Sequence, residues 1–268
     1  MRSKIAIALP MTFLLLFVST LGIVAFTYYF AVERVNTQGQ TLKVTTAKQD
    51  LVSLDNSLTS TSWQPGSSSR ADISDSGGKL NIQPTTNNLK LNVAYNDGSQ
   101  VNDNIFNSNI GQVTYELPYV DNSDFGLYLK GDSQSITNQS GASMTQLGIR
   151  NGPEHAEIFL SYRPKVTYAI SGIEDQRAIN NIRISIVNLN ASEAISLYGK
   201  LPLKISCQSV QSETTIYTPA STINNLLVTS TLGEDTNTIS IPITSSTGGS
   251  TINVELVISY IKIERATL

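Results

Sequence analysis

The chain has 268 residues, of which only 15% are charged, with a formal net charge of −3, one cysteine and one histidine. That balance does not favour phosphate backbones, and without a basic patch interleaved with aromatics it argues against nucleic acid as a partner. A lone Cys207 excludes an intrachain disulfide, and the abundance of Ser, Thr and Asn over Lys and Glu is of the kind found in displayed β proteins.

The first element is the uncharged stretch Ile5 to Val32. Its length, about 28 residues, exceeds the roughly 20 apolar residues a helix needs to cross a bilayer. Arg2 and Lys4 precede it, and Glu33 and Arg34 follow. Three readings compete. A cleaved signal peptide has an apolar region of only about 7–15 residues and a small-x-small site, and the rough sites near Ala25 and Ala31 are not well formed. A membrane anchor would keep Arg2 and Lys4 inside and the rest of the chain outside. A filament-core helix, buried among copies of itself, tolerates an all-round apolar surface as well as lipid does. The core residues on that last reading are Ile5, Leu9, Phe13, Leu16, Phe17, Leu21, Val24, Phe26, Phe30 and Val32. Pro10 either kinks the helix or sits near its start, where proline is tolerated.

Ala31 to Ser60 has no proline, and Gly39 is its single glycine. Val44, Ala47, Leu51, Leu54 and Leu58 follow three- and four-residue steps, one apolar stripe of a helix. Lys43, Lys48, Gln49, Asp50 and Asp55 fall off that stripe. The spacing therefore predicts one helix running on to about Leu58, with the stripe buried against the chain's own β domain or a neighbouring subunit. Trp63-Gln64-Pro65-Gly66 ends it.

A short basic start (Met1-Arg2-Ser3-Lys4), a long uncharged helix, an amphipathic extension and a Ser/Thr/Asn-rich β remainder resemble archaeal type IV pilin-like proteins. The likeness is one of architecture over the whole chain and of sequence over roughly the first 60 residues. Such families carry a basic and then a small residue at a leader cleavage site. Here Lys4-Ile5-Ala6 is the nearest match and no glycine precedes the apolar run, so the chain departs from the family pattern at that point. The resemblance implies a homopolymer assembled through the N-terminal helix, with membrane residence before assembly and a β domain displayed outside the cell.

After the helix come short alternating or β-branched runs broken by Asn, Asp, Gly and Ser. Strands are expected at 79–83, 88–95, 112–117, 125–130, 144–150, 156–162, 165–170, 182–189, 201–207, 214–218, 226–231, 237–243 and 251–264. Asn96-Asp97-Gly98 and Ser76-Gly77-Gly78 are hairpin-type turns. The pattern predicts a mainly β chain with one long N-terminal α-helix and an antiparallel β-sandwich outer domain. The helical part is placed at 1–62 and the sandwich at 63–268, with a weak sub-boundary near 151–153. The last strand carries apolar residues on both faces at Val257, Ile261 and Ile263. That is the signature of a central strand, with pairing to a neighbouring subunit as the sharper alternative.

The residues offer little chemistry. A Ser-His-Asp or Cys-His device would need His155, which lies in the turn-like Asn-Gly-Pro-Glu-His, and there is no Gly-x-Ser-x-Gly elbow. Cys207 sits in an apolar run and reads as a small buried hydrophobe. The soft ligands of a zinc site are lacking. Acidic pairs occur at Asp72/Asp75, Asp97/Asp103, Asp121/Asp124 and Glu174/Asp175, and the stretch from Asp121 to Gly126 has the flavour of a calcium loop without the EF-hand glutamate. Asn138 and Asn190 head Asn-x-Ser sequons. The expectation is a non-enzymatic cell-surface protein without a cofactor, either a filament subunit or a single-pass anchored β module for a surface ligand such as polysaccharide.

Overall fold

The computed structural model describes residues 3–98, 100–117, 125–152 and 155–266, with side chains from residue 11 onward. Among the described residues there are fifteen strands and one helix, α1, which runs Ser3–Thr61 and passes through Pro10 without a break. It ends in the turn Ser62–Gly66, where Gly66 takes φ +80°, a conformation that glycine adopts without steric cost. Fifteen strands follow: β1 (Ser68–Ile73), β2 (Lys79–Gln83), β3 (Asn88–Asn96), β4 (Gln100–Asn109), β5 (Gln112–Glu116), β6 (Tyr128–Lys130), β7 (Thr145–Asn151), β8 (Ala156–Tyr162), β9 (Lys165–Glu174), β10 (Arg177–Asn188), β11 (Ile195–Tyr198), β12 (Leu201–Tyr217), β13 (Asn225–Leu232), β14 (Asp235–Pro242) and β15 (Ser250–Arg265).

The mainly β fold with one long N-terminal helix is the class expected from sequence, but the strands form three sheets. The first has the order β1-β12-β15-β10-β9, the second β11-β2-β5-β8-β7-β6 and the third β14-β13-β3-β4. Among the described residues every strand-to-strand pairing is antiparallel except β10 with β15, where Ala178 to Asn188 run alongside Ser250 to Tyr260; an isolated parallel bridge also joins Thr137 to Lys165. The first and third sheets make the sandwich. Ile182, Ile184, Ile186, Ile252, Val254 and Leu256 of one share a core with Leu89, Leu91, Val93, Leu226, Val228 and Ile241 of the other. In the second sheet, β5, β7 and β8 bury nearly every residue, so their strands are covered on both faces.

The contacts divide the chain into two compact units, Met1–Thr45 and Thr46–Leu268. The last turns of α1 therefore belong with the strands. The place marked as a weak sub-boundary is the β7–β8 hairpin, where Asn151 pairs with Ala156, and Pro153 lies outside the described residues. β15 is the central strand of the first sheet, hydrogen-bonded to β12 on one side and β10 on the other, which leaves no free edge for a neighbouring subunit. The runs expected at 201–207 and 214–218 are one strand, β12, with a register shift between Cys207 and Ser209.

Candidate functional site

The first unit carries the residues assigned to a membrane or filament-core helix. Phe13, Leu16, Phe17, Leu21, Val24, Phe26, Phe30 and Val32 are between 42% and 70% exposed. Ile5 and Leu9 lie where side chains are not described. Within Met11–Thr61 an 18-residue window reaches mean hydropathy 2.0 with none of it buried. Apolar surface on that scale is unstable in water and needs lipid or protein around it. The polar groups are prepared for such burial. The hydroxyls of Ser19, Thr20 and Thr27 donate to the carbonyls of Leu16, Leu16 and Ile23 at 3.0, 2.7 and 2.7 Å. A hydroxyl satisfied by its own helix carries little penalty into a medium without water. Tyr28 and Tyr29, an apolar body with a polar tip, stand near the polar end of the run, as aromatics do at membrane interfaces. The helix is long and apolar enough to cross a membrane, and a signal sequence near an N-terminus meets the same criterion.

Of the packing stripe, Val44 lies in the first unit and is buried. The second unit begins with the helix end, where Ala47, Leu51, Leu54 and Leu58 are buried. The residues expected off that stripe behave differently from a solvated face. Asp55 is fully buried, and Asp50 is part-buried with its carboxylate accepting the Ser74 amide at 2.6 Å. The reason is cover from more than one side. Asp55 is bound by the second sheet: the Lys130 ammonium sits 2.5 Å from Oδ2, while the hydroxyls of Thr145 and Tyr162 donate to Oδ1 at 2.7 and 2.8 Å. Burial pushes the Tyr162 phenol well above its usual range, and the Asp55 charge pushes it further, so it remains a donor. The first sheet takes the last turn. The Ser62 carbonyl accepts from Cys207 Sγ at 3.4 Å and from the Ser259 hydroxyl, and Thr61 Oγ1 lies 2.9 Å from Ser69 Oγ. The clamp formed by Asp55, Lys130, Thr145 and Tyr162 escaped the sequence reading. Its one sequence signal is an aspartate that directly follows Leu54 of the stripe and lies four residues after Leu51.

A second buried charge organises the segment between β6 and β7. Arg163, 1% exposed, donates from Nε to the Ser143 carbonyl at 3.1 Å and from Nη1 to the Gln134 carbonyl at 3.0 Å, and pairs with the Asp132 carboxylate. That pairing holds the Asp132 carboxyl below the ordinary carboxylate range.

The candidate chemical residues are dispersed. His155 is exposed in the β7–β8 turn and its carbonyl accepts the Gly152 amide at 2.9 Å. Cys207 is buried. Asp72 pairs with Arg70, Asp75 accepts from the Gly77 amide, Asp97 from the Ala220 amide and Asp103 from the Tyr217 hydroxyl. Glu174 is exposed at the end of β9, and Asp175 turns the chain with φ 46°. Asp121 and Asp124 of the suggested calcium loop lie outside the described residues. Among the described residues no group of three or more His, Cys, Asp or Glu is placed to hold a metal ion. Asn138 and Asn190 are both exposed, but the Ser192 hydroxyl of the second sequon is buried and accepts the Ile263 amide at 3.1 Å.

On its solvent side the first sheet has a concavity of about 540 Å³ lined by Thr167, Asn181, Arg183, Thr214, Asn253 and Glu255, among others. Its polar side chains hold one another: Asn253 Nδ2 donates to Asn181 Oδ1 at 2.9 Å, Arg183 Nε to Glu255 at 2.7 Å, and Ser212 Oγ to Glu255 at 2.8 Å. Arg183, and after it Ser212, holds the Glu255 carboxyl below its usual range.

Compared with models of protein families, with curated proteins and with solved structures, the chain matches none. A long apolar N-terminal helix followed by a β-rich domain is compatible with pilin-like architecture.

Proposed function

We propose that this protein is a non-enzymatic structural subunit of an archaeal type IV pilus-like surface filament. Its N-terminal helix is inserted in the membrane before assembly and packs with copies of itself afterwards, leaving the β domain displayed for adhesion or surface contact. One observation carries the reading: α1 has no charge from Ile5 to Val32 and is exposed from Met11 to Val32, yet from Ala47 to Leu58 its stripe is buried and Asp55 is clamped. A helix that is free along one part and fixed at the other suits a subunit whose free part is covered by neighbours. The driving force is burial of apolar area at ~25 cal/mol per Å², repeated over every copy. The subunit itself needs no cofactor.

The test is electron microscopy of material sheared from cells, with the N-terminal mass of the subunit measured alongside. Helical filaments containing this chain are expected, and Leu15→Glu or Val24→Glu abolishes them by placing a charge in the helix core. Normal filaments with either substitution, or a parent chain that stays monomeric in the membrane fraction, refute the reading. The second reading is a monomeric, membrane-anchored β module binding a surface polysaccharide. The pre-ordered Asn181, Arg183, Asn253 and Glu255 of the concavity favour it, because fixed polar groups lose little entropy on binding.

A further inference from the structure

Among the described residues six strands end the three sheets, and five of them are very short or carry a charge or a proline, which discourages pairing with another chain. β6 and β11 have only 3 and 4 residues. β1 carries the exposed charges Arg70 and Asp72. β4 carries Asp103 and a register shift opposite Leu91 and Asn92. β14 begins at Asp235 and ends at Pro242. β9 differs. Its start is covered, since the Val166 amide donates to the Thr137 carbonyl at 2.8 Å. From Thr167 to Glu174 every residue is exposed, and Thr167 to Ile173 contains neither a charge nor a proline. It too is bulged, at the extra residue Ser171, whose hydroxyl is tied to Asn181 of β10, followed by Gly172 at φ +129°, so the regular open edge is Thr167 to Ile170.

The register adds a second observation. Tyr168 lies opposite Ile182, Ile170 opposite Asn180 and Ile173 opposite Ala178, and those three partners are 1%, 3% and 2% exposed. Tyr168, Ile170 and Ile173 therefore extend the inner, core-facing side of the first sheet, yet they are 49%, 56% and 70% exposed. The apolar layer continues one strand past its cover, beside an open backbone edge.

We propose that β9 is an interaction edge that pairs antiparallel with β9 of a second copy of this chain, joining two first sheets across a two-fold axis. The occupant follows from the strand itself. A two-fold axis normal to the sheet keeps both inner faces on the same side, so Tyr168 and Ile170 of each copy meet those of the other and cover them. No charge lies between Thr167 and Ile173, so self-pairing sets no like charges opposite each other. Backbone hydrogen bonds supply the rest, as in other cases of strand addition. The inference rests on the reading of α1 only in that a shared membrane or filament raises the local concentration of copies.

The test is oxidative cross-linking of the full-length chain, reconstituted in vesicles and also solubilised in detergent. Cysteine is placed singly at Thr167, Tyr168, Ala169 and Ile170, with Ser240→Cys on β14 as the control. At one or more β9 positions the disulfide-linked dimer is expected to exceed the control about tenfold or more. Adding Ile170→Lys to Ala169→Cys returns the yield to control while leaving the thermal unfolding midpoint in place. Yields at all four β9 positions no greater than at Ser240 overturn the proposal. A yield lost with Leu15→Glu but kept with Ile170→Lys assigns the contact to α1 and overturns it too, as does an adduct whose mass is not that of two copies. Filament loss in Leu15→Glu with dimer yield retained separates this contact from the filament reading.

Discussion

Replacing Asp55 by alanine removes one carboxylate and leaves four donors, of which the Thr59 hydroxyl, at 3.4 Å, is the most distant. Two of them, the hydroxyls of Thr145 and Tyr162, are buried. Each loses its acceptor at a cost of about 1–3 kcal/mol. Lys130 has 36% of its side chain exposed and turns to solvent, so its loss adds little. Alanine returns at most ~0.7 kcal/mol through its higher helix propensity. The balance is a loss of about 1–5 kcal/mol, reaching at its upper end the range found when one partner of a buried charged pair is removed. For a domain of this size that lowers the melting temperature by roughly 2–20 °C. Asp55→Asn keeps an acceptor for the hydroxyls and falls between alanine and the parent. The assay is calorimetry or circular dichroism of the full chain in detergent, followed through its β signal. A midpoint for Asp55→Ala within about 2 °C of the parent refutes the argument, since the clamp would then contribute nothing net.

Other substitutions report on separate parts of the domain. Arg163 lowers the folded-state pKa of Asp132 below 3.8, so this pair's contribution is present above that value and is lost as the pH falls through the lower, folded one. Asp132→Asn should flatten the acid limb of the melting temperature against pH, and an unchanged limb contradicts the assignment. At the alkaline end, burial and then the hydrogen bond to Asp103 raise the Tyr217 phenol above 10.0. Its contribution is complete below that pH and declines above it, and Tyr217→Phe should remove part of the alkaline slope measured by the same melts. Gly78→Ala would set a Cβ 2.1 Å from the Glu116 carbonyl oxygen and 2.4 Å from the Tyr115 ring. A cost of about 2–3 kcal/mol is expected, read as a drop in melting temperature.

What the sequence disclosed follows from where alternation survives. α1 and most strands are legible because one face is buried and the other is not, as in β3, where Leu89, Leu91 and Val93 are buried. β4 and β11 pass unnoticed because edge strands bury few side chains, and Val101 to Asn109 has almost no apolar period. β1 reads as a Ser-rich linker because only Ala71 and Ile73 are buried. The third sheet cannot be read from local pattern, since sheet membership depends on pairings more than a hundred residues apart, such as β3 with β13. Asp55 and Arg163 are missed for a related reason. A charge signals solvent unless its partners are known, and here they lie 75 residues away at Lys130 and 31 at Asp132.

The parallel pairing of β10 with β15 has a consequence for synthesis. β15 lies in the middle of the first sheet and follows the other fourteen strands in the chain. Until Ser250–Arg265 emerges, β12 and β10 have no neighbour between them and the sandwich core cannot close. The apolar helix precedes these strands in the chain and is complete before its domain can fold. The domain therefore completes late, through contacts of long sequence separation that form slowly, with the unfilled edges of β10 and β12 exposed to misassociation in the interval.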